Sequence, residues 1–428
     1  MGKKDDSLGP VDVLVAGGGM AGAFAAVGAR AGGARVLLVE PHNVLGGQGT
    51  AGGVAGFCGD TRRVNRPFAE LVAAMESRGL IAAYDPAADR RDYDLEGLAF
   101  FLQELVLSSG AELLFHSRAV DAVAAAGRVE SVSLATPSGL AEVRPQVVVD
   151  ATGECLVAAA AGFPTVHEPA LKQLPMSLYV TMWDTGRPVE PFLPEGCPTW
   201  AGDDDLPMTT LHVFPSGKVE VKMKVIGFDA AGARSLSAAE VHARRQMMGL
   251  VHHLQTKGYR GRRLDRHVLA SVSRQIGVRE GRRIVGQHVL AEDEVRRGTR
   301  FADAVAVGTY HLDYHWPDRV ERAGTGVTDM VPPYHIPLGS LVPKGAANLL
   351  VPGRGASGDQ LAMSSFRVMA TCAQMGLAAG LAAADCASRG RGLDSLDVPA
   401  LQRLLADHGQ SLDLADYGEY LRGYKGIH

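Results

Sequence analysis

The sequence contains few cysteines, and none of them lies in a Cys-x-x-Cys pair. Five cysteines, an odd number, are spread over 428 residues. Disulfide frameworks and structural zinc sites need paired, closely spaced cysteines, so neither is predicted and no metal site is expected. Unpaired thiols persist in a reducing compartment, which makes the cytoplasm the expected location.

The sequence also lacks an excess of positive charge. Lys and Arg together number 43 against 47 Asp and Glu, for a formal net charge of -4. A dedicated nucleic-acid-binding protein is expected to carry a global positive field, so no nucleic-acid partner is predicted. Residues 257–300 are a local exception, with twelve Lys or Arg and five Asp or Glu. This basic segment leaves an RNA- or protein-binding module open, although a solvated or anion-binding surface explains it more simply.

No long, purely apolar run and no targeting signal is evident. The most apolar long segment, residues 368–384, is dominated by Ala and Gly and includes Thr371 and Gln374, which is typical of a buried helix rather than a membrane span. The chain starts with polar residues, so no signal peptide and no membrane association are predicted. A length of 428 residues exceeds the range of a single hydrophobic core, and two domains are therefore expected.

What the sequence does contain is a glycine motif between two apolar runs near its start. Residues 11–40 predict a buried strand, a tight turn at Gly17, Gly19 and Gly22, a helix and a second strand. In such a βαβ unit the first glycine permits the turn, the second lets a pyrophosphate approach the helix N-terminus, and the third allows close packing. Glu40 ends the second strand, where it can accept hydrogen bonds from a ribose. The segment therefore predicts dinucleotide binding.

A second glycine cluster follows directly. Five glycines fall between Pro41 and Gly53, too many for a helix or strand, because each one costs backbone entropy. Such a cluster is best explained by backbone lying against a ligand, and a flavin, with its ribityl chain and wide ring, needs this contact where a nicotinamide does not. No histidine occurs between Gly46 and Gly56, so covalent flavin attachment is not predicted there.

The remaining chain predicts a second domain inserted into the first. Residues 147–153 form a buried strand ending in small residues, and residues 348–384 repeat the order of strand, glycine-rich turn and helix. Between them, residues 219–225 alternate Val or Met with Glu or Lys, which predicts an antiparallel sheet with one face exposed to solvent.

The predicted fold class is therefore α/β, a Rossmann-type domain with an inserted α+β domain that contains an antiparallel sheet. Its predicted divisions are the N-terminal part of the first domain at 1–170, a substrate domain at 171–330, and the C-terminal part of the first domain with C-terminal helices at 331–428.

Taken in order, these stretches resemble the FAD-dependent oxidoreductase family allied to the fumarate reductase and succinate dehydrogenase flavoproteins, which has the glutathione-reductase-type FAD fold. The resemblance covers nearly the whole chain. Besides the N-terminal motif, the matching stretches are Gly46-Gly47 with Thr50-Ala51-Gly52, residues 150–153, residues 276–286 and residues 364–369.

This resemblance implies non-covalently bound FAD and assigns it contacts along the chain. A helix beginning about Ser364 would point its N-terminus at the pyrimidine edge of the flavin, where the helix dipole stabilises negative charge. The other implied contacts are Gly17, Gly19, Gly22 and Gly153 for the pyrophosphate, Glu40 for the adenosine ribose, the Val120 backbone for adenine, Gly46 and Gly47 for the ribityl chain, Thr50, Ala51 and Gly52 for the isoalloxazine, and Asp359 and Arg367 for the ribityl and pyrimidine edge.

A cluster of arginines is the first candidate for chemistry. Arg279, Arg282 and Arg283 crowd around Glu280, and arginines in such a cluster can clamp a carboxylate or polarise a carbonyl. An Arg–Glu network between the domains is the alternative for each member. We expect at least one of them, with Arg279 and Arg283 as the candidates, to face the active site.

A histidine cluster is the second candidate. His311, Asp313 and His315 lie two residues apart and share one face if the segment is a strand. They could supply a general base or ligate a metal, and a metal is the weaker idea because flavin chemistry needs none. His315 resembles a family histidine beside the active site and is predicted to be an acid/base residue, with a structural role as the alternative. Tyr334 and the following His335 are predicted to line the substrate side of the flavin.

Three functions follow from these observations. The first is an oxidoreductase that moves hydride between FAD and a small organic substrate. No second βαβ unit with such a glycine motif is predicted, so no dedicated NAD(P)H domain is expected, and electrons would be exchanged with an external nicotinamide, a quinone, oxygen or another protein. The second is an FAD-dependent monooxygenase hydroxylating a small or peptide-borne substrate, which Gly358-Asp359 keeps open. The third is a flavin-bearing RNA- or protein-binding module. The sequence specifies neither the substrate nor the oligomeric state.

Overall fold

A computed structural model of the protein describes residues 8–85, 90–214, 217–319 and 326–417. The polar start of the chain, from which no signal peptide is predicted, lies outside these ranges as far as residue 7. The β-strands of the described ranges are β1 (Val13–Ala16), β2 (Val36–Glu40), β3 (Gly56–Cys58), β4 (Arg90–Asp92), β5 (Glu112–Phe115), β6 (Arg118–Ala125), β7 (Arg128–Thr136), β8 (Gly139–Val143), β9 (Val147–Asp150), β10 (Thr165–Val166), β11 (Met176–Asp184), β12 (Thr210–Val213), β13 (Lys218–Val225), β14 (His267–Val272), β15 (Arg283–Ile284), β16 (Ala304–Gly308), β17 (Tyr314–His315), β18 (Gly326–Val327), β19 (Tyr334–Pro337) and β20 (Leu349–Leu350). The α-helices of the same ranges are α1 (Met20–Ala31), α2 (Arg66–Glu76), α3 (Leu95–Ser108), α4 (Leu156–Ala160), α5 (Ala233–Thr256), α6 (Glu292–Arg297), α7 (Gln360–Phe366), α8 (Met369–Arg389) and α9 (Val398–Asp407).

Five parallel strands form the central sheet, in the order β20-β9-β1-β2-β5. Strands β1, β2 and β9 are buried along their whole length, as expected for apolar runs in a parallel sheet. The architecture confirms the predicted α/β fold with a Rossmann-type domain. In such a sheet the carboxyl ends of the strands form the edge at which ligands bind.

Helices α1 and α8 pack directly against each other through glycine and alanine. A methyl group at Gly376 would lie 2.1 Å from the carbonyl oxygen of Ala21, and one at Gly380 would lie 2.1 Å from that of Ala25. Only glycine permits so close an approach of two helix backbones. The first and last parts of the chain therefore share one hydrophobic core.

A second sheet is antiparallel, with the order β12-β13-β11-β14. Its apolar face packs against α5 in a separate hydrophobic cluster drawn from residues between Met176 and Ile276. The opposite face was expected to be exposed to solvent, and this expectation is wrong: Glu220 is 1% exposed and Lys224 is 2% exposed. Other parts of the chain cover this face, and the Lys224 ammonium donates a hydrogen bond to the carbonyl of Trp316 at 2.8 Å.

The two hydrophobic clusters divide the chain differently from a simple cut at 170 and 330. Ile284, Val305 and Leu312, which fall within 171–330, belong to the larger cluster together with β1 and α8. The second cluster ends at Ile276. The domain boundaries themselves stay a prediction.

Within the described ranges, no single helix has both the length and the apolar composition needed to cross a membrane. Helices α7 and α8 meet these criteria only as a pair, and the chain bends by 90° between them. Every residue of α8 from Ala370 to Ala384 is buried, in line with the buried helix predicted for this segment.

The basic segment at 257–300 takes part in several ion pairs. Arg266 pairs with Asp184 and Arg274 pairs with Glu96. Further members of the segment that pair with carboxylates are Arg263, Arg283, Arg296, Arg297 and Arg300. Part of its positive charge is therefore neutralised within the fold.

Candidate functional site

One large cavity of about 1300 Å³ extends from the carboxyl edge of the parallel sheet to the polar face of the second sheet. At the first end it is lined by Gly17, Gly19 and Glu40, and at the other by Tyr179 and Lys222. The glycine motifs and the candidate catalytic cluster thus open onto the same space.

The turn after β1 brings the backbone to the cavity wall. Gly17 has a φ of +94°, and a side chain there would collide with the carbonyl of Ala151, 2.6 Å away. At Gly19, by contrast, the nearest atom to a methyl group would be the Gly47 Cα, 4.0 Å away. Gly19 precedes α1 without any side-chain cap, so the first backbone N–H groups of this helix are available to an anion. Gly22 does not line the cavity and instead packs on Gly17.

Glu40 lies at the end of β2 with its carboxylate fixed by backbone. The N–H groups of Gly18 and His42 donate to its two oxygens at 2.7 and 2.9 Å. Burial raises the pKa of Glu40, and these two hydrogen bonds oppose that shift. Ser117, Arg118 and Ala119 line the cavity beside it, whereas Val120 does not and its side chain is half exposed.

The glycine cluster after β2 contributes only part of its predicted contacts. Gly46 and Gly47 line the cavity together with Gln48 and Val54, and the N–H of Gly46 donates to the carbonyl of Gly18 at 2.8 Å. The predicted isoalloxazine contacts at residues 50–52 do not line it.

The three residues at 50–52 are instead buried behind the cavity wall. The Thr50 hydroxyl donates to the Leu45 carbonyl at 2.5 Å, and the N–H of Gln275 donates to the Ala51 carbonyl at 3.1 Å. A methyl group at Gly52 would collide with the Gln48 side chain. This stretch directly follows a short 3-10 turn at Gly47–Gly49.

An arginine that the sequence interpretation missed stands beside the glycine turn. Gly153 and Arg354 both line the cavity, and the Nη2 atom of Arg354 donates to Glu154 at 2.7 Å. The Nη1 atom of Arg354 is buried and has no hydrogen-bond partner among the residues described. A buried, half-satisfied guanidinium in a cavity calls for an anionic ligand. The sequence feature that could have identified Arg354 was the glycine-rich turn Pro352-Gly353-Arg354-Gly355, which follows a buried strand.

The C-terminal contacts differ in detail from the predicted ones. Asp359 does not line the cavity: its carboxylate accepts the N–H groups of Ala362 at 2.8 Å and Glu292 at 2.6 Å, at the starts of α7 and α6. Ser364 lies inside α7, buried and bonded to the Leu361 carbonyl. The helix that begins at the cavity is α8, and Arg367, Val368 and Met369 line the wall there. The predicted helix start at Ser364 is therefore corrected to Met369.

At the other end of the cavity, Asp313 joins His315 and Arg367. The Oδ1 atom of Asp313 lies 3.1 Å from the Nε2 atom of His315, and its Oδ2 atom accepts from Arg367 at 2.6 Å. Burial alone would raise the pKa of Asp313, but His315 and Arg367 hold it below its usual range. Burial lowers the pKa of His315 to about 4, an effect that Asp313 offsets only in part. His315 is therefore neutral near pH 7.

The arginine cluster splits into one cavity residue and one structural residue. Arg279 lines the cavity, and its Nη1 atom donates to the Pro175 carbonyl at 2.7 Å and to the Ser177 hydroxyl at 2.6 Å. Arg283 does not line it: the side chain is buried against Glu280 and donates to the Gly358 carbonyl at 3.1 Å. The alternative of an Arg–Glu network therefore describes the placement of Arg283.

Tyr334 and His335 also lie away from the cavity lining. The Tyr334 side chain is fully buried, and its hydroxyl lies 2.7 Å from the Ser365 hydroxyl. His335 is held between the Phe301 N–H, at 3.0 Å, and the Leu412 carbonyl, at 2.8 Å. Neither is placed to contact a substrate, because β19 pairs with β16 inside the larger hydrophobic cluster.

Several cavity residues come from the polar face of the second sheet and were not predicted. Tyr179, His212 and Lys222 line the cavity from this sheet, and Arg90 lines it from β4. Burial, followed by the nearby Arg279, lowers the pKa of Lys222 to about 7. Burial and Arg90 also lower the pKa of His212 to about 4. The sequence feature that pointed to this face was the alternation of charged and apolar residues along β13. Its charged face was predicted to be exposed to solvent.

Glu220 lies on the same face, and the pH dependence of protein stability can test whether its carboxylate is buried there. Neither of its carboxylate oxygens has a hydrogen bond among the described residues, and Arg90 lies 4.0 Å from one of them. Burial raises the pKa of Glu220 from 4.5 to about 7, against the opposing effect of Arg90. Between these pH values the folded protein keeps a proton that the unfolded chain has lost. Its stability therefore falls as the pH rises through this window.

Glu220→Gln removes this titration. Relative to the wild type, the variant is expected to gain stability between pH 4.5 and 7, by up to ~1.4 kcal/mol per pH unit. Urea unfolding at several pH values measures the difference, with the exposed Glu104→Gln as the matched control. A stability difference that does not change with pH would contradict the raised pKa.

Taken together, a Rossmann-type sheet and a glycine-lined cavity that ends in a polar cluster define a flavin-dependent oxidoreductase. The chain belongs to the FAD dependent oxidoreductase family, whose model matches residues 12–405. It is therefore an enzyme, and FAD is its cofactor. No curated protein matches the chain.

Solved structures with a similar course of the chain are remote. OxyS anhydrotetracycline hydroxylase from Streptomyces rimosus is 15% identical, with 65% of this chain and 54% of that chain covered and a TM-score of 0.41. A geranylgeranyl bacteriochlorophyll reductase-like protein from Thermoplasma acidophilum is 13% identical, with 97% and 95% covered and a TM-score of 0.48. PnpA, a p-nitrophenol 4-monooxygenase from Pseudomonas putida DLL-E4, is 13% identical, with 96% and 83% covered and a TM-score of 0.43.

The residues at the first end of the cavity fit an FAD molecule. The open space at Gly19, the uncapped start of α1 and the half-satisfied Arg354 all suit a pyrophosphate. Among the described residues, no group of three or more His, Cys, Asp or Glu side chains could hold a metal ion.

Proposed function

We propose that this enzyme transfers hydride between non-covalently bound FAD and a small organic substrate held at the second-sheet end of the cavity. When bound, FAD supplies two-electron redox chemistry. The observation that carries the proposal is the continuity of one cavity, from the glycine turns to His315, Arg279 and Lys222. A cofactor lying along the glycine end would leave the polar end for a substrate.

We propose that FAD is held by the cavity residues of the parallel-sheet edge. Gly19 and the start of α1 would receive the pyrophosphate with Arg354, and Glu40 would face the adenosine ribose. Further holding residues would be Gly17, Gly46, Gly47, Gly153 and Arg367, and the N-terminus of α8 at Met369 would favour negative charge on the flavin.

His315 is the proposed proton-transfer residue. Its Nε2 atom faces Asp313 at 3.1 Å, so a neutral imidazole donates its proton there and presents Nδ1 as an acceptor. Asp313 is itself fixed by Arg367. This arrangement fixes the orientation and tautomer of the imidazole, which is what a general base requires. Arg279 would bind and orient the substrate through the donors that Pro175 and Ser177 leave unused.

An external electron donor or acceptor completes the proposed cycle, since the described residues hold a single βαβ unit with a dinucleotide-binding glycine motif. A nicotinamide, a quinone, oxygen or a partner protein could serve. All five cysteines are free thiols, which supports a reducing compartment, and we propose the cytoplasm.

Anaerobic reduction tests the proposal directly. Small organic compounds are screened under argon against the yellow holoenzyme, and a true substrate is expected to bleach the visible flavin absorbance stoichiometrically. His315→Gln holoenzyme serves as the comparison, because it should bleach far more slowly with the same compound. If bleaching needs only an external reductant, and oxygen uptake then matches a hydroxylated product, the enzyme is a monooxygenase and the hydride-transfer proposal is wrong.

A further inference from the structure

Arg279 and Lys222 line the cavity without an anionic partner among the described residues. Arg90 pairs with Asp92, Arg354 with Glu154, and Arg367 with Asp313. Arg279 and Lys222 differ from these three. The Arg279 side chain donates to the neutral oxygens of Pro175 and Ser177. Within the described parts of the chain, the Lys222 ammonium has neither a hydrogen bond nor an ion pair.

The register of the second sheet places these two cations next to each other. Lys222 of β13 pairs with Tyr179 of β11, and directly paired residues have Cβ atoms roughly 5 Å apart. Ser177, which anchors Arg279, lies two residues before Tyr179 and therefore points to the same face of the sheet. The guanidinium and the ammonium thus share one patch of the cavity wall.

Two positive charges at one buried patch are unfavourable without an anion. Burial lowers the pKa of both groups, and the charge of Arg279 lowers that of Lys222 further. The neighbouring His315 is neutral near pH 7 and adds no charge to the patch. The nearby Asp313 is already engaged by His315 and Arg367. An anionic group supplied by a ligand would complete this arrangement.

We propose that Lys222 and Arg279 together bind a carboxylate group, so that the substrate is a small organic acid. This inference rests on the proposed function, because it assigns the substrate class of the same cavity. Arg279 keeps the Nη2 and Nε donors that Pro175 and Ser177 do not use, and these suit the planar geometry of a carboxylate. Lys222 supplies a second, compact charge on the adjacent strand.

The experiment compares a carboxylate with its neutral analogue. Benzoate and benzamide are titrated into the FAD-loaded enzyme at constant ionic strength, and binding is followed by the flavin absorbance change and by the shift in Tm. Benzoate is expected to bind at least about tenfold more tightly than benzamide, because hydrogen bonds to charged groups contribute more than neutral ones. Lys222→Met should weaken benzoate about tenfold and leave benzamide unchanged. Lys222→Arg should retain most of the benzoate affinity.

The matched control is Lys344→Met, which makes the same change at an exposed position outside the cavity and should bind benzoate like the wild type. Equal binding of the two probes, no effect of Lys222→Met, or no response to benzoate in either readout would overturn the inference. Tighter binding of inorganic phosphate than of benzoate would overturn the choice of carboxylate. All of these outcomes presuppose a yellow holoenzyme. A protein that takes up no FAD would instead refute the proposed function, and the Tm readout would still report on the anion.

Discussion

The Gly19→Ala variant is expected to fold with wild-type stability but to bind FAD at least about 100-fold more weakly, roughly 3 kcal/mol. A methyl group at Gly19 meets no protein atom closer than the Gly47 Cα at 4.0 Å, and its φ of -63° suits any residue. The space it would fill is the one through which a pyrophosphate approaches the start of α1. The substitution is therefore expected to destabilise the FAD complex and to leave the stability of the apoprotein unchanged.

Two other glycines make this test specific. In Gly22→Ala the new methyl group would lie 1.8 Å from the Gly17 carbonyl oxygen, so this variant should lose stability even without FAD. In Gly9→Ala nothing lies within 4 Å, and neither stability nor FAD affinity should change. Calorimetric titration of FAD and thermal unfolding of the apoprotein measure both quantities. Gly19→Ala with unchanged FAD affinity would mean that the pyrophosphate does not lie there.

The second large effect is expected at His315. His315→Gln should lower kcat by roughly 100-fold or more, the usual contribution of a positioned acid or base, while FAD stays bound. Glutamine keeps a polar group near Asp313 but cannot accept and release a proton near neutral pH. Steady-state turnover with the substrate found by flavin bleaching measures the loss. The FAD content and the benzoate affinity of the variant show whether the cavity is intact.

A structural role for His315 predicts a different outcome. In that case FAD retention and benzoate binding would fall together with turnover, or turnover would not change at all. His167→Gln is the control, because His167 is exposed and lies outside the cavity lining. It should retain wild-type turnover.

The fold was largely predictable because its signals are local. Residues 11–40 contain the strand, turn, helix and second strand in sequence, and the burial of β1 and β2 follows from their unbroken apolar runs. The polar face of β13 could not be assigned in the same way. Alternation along a strand shows that its faces differ, but not which other parts of the chain cover the charged one.

Site residues could be predicted where the backbone conformation alone determines their position. They could not be predicted where tertiary packing determines whether a side chain reaches the cavity. Gly17, Gly19 and Glu40 reached the cavity because a turn at the end of a strand leaves little choice of direction. Thr50 and Tyr334 did not reach it. The first is buried and donates to the Leu45 carbonyl, and the second is buried against Ser365. The register that brings Lys222 beside Tyr179 depends on residues more than 40 positions apart, and no local pattern records it.

The close packing of α1 against α8 has a consequence for biosynthesis. Gly19 and Gly376 lie 357 positions apart in the sequence, yet the cavity needs the start of both helices. A ribosome must therefore have translated the chain beyond the start of α8 at Met369 before the flavin pocket exists. Until then α8 does not cover the small-residue surface of α1, and the nascent chain cannot bind the flavin.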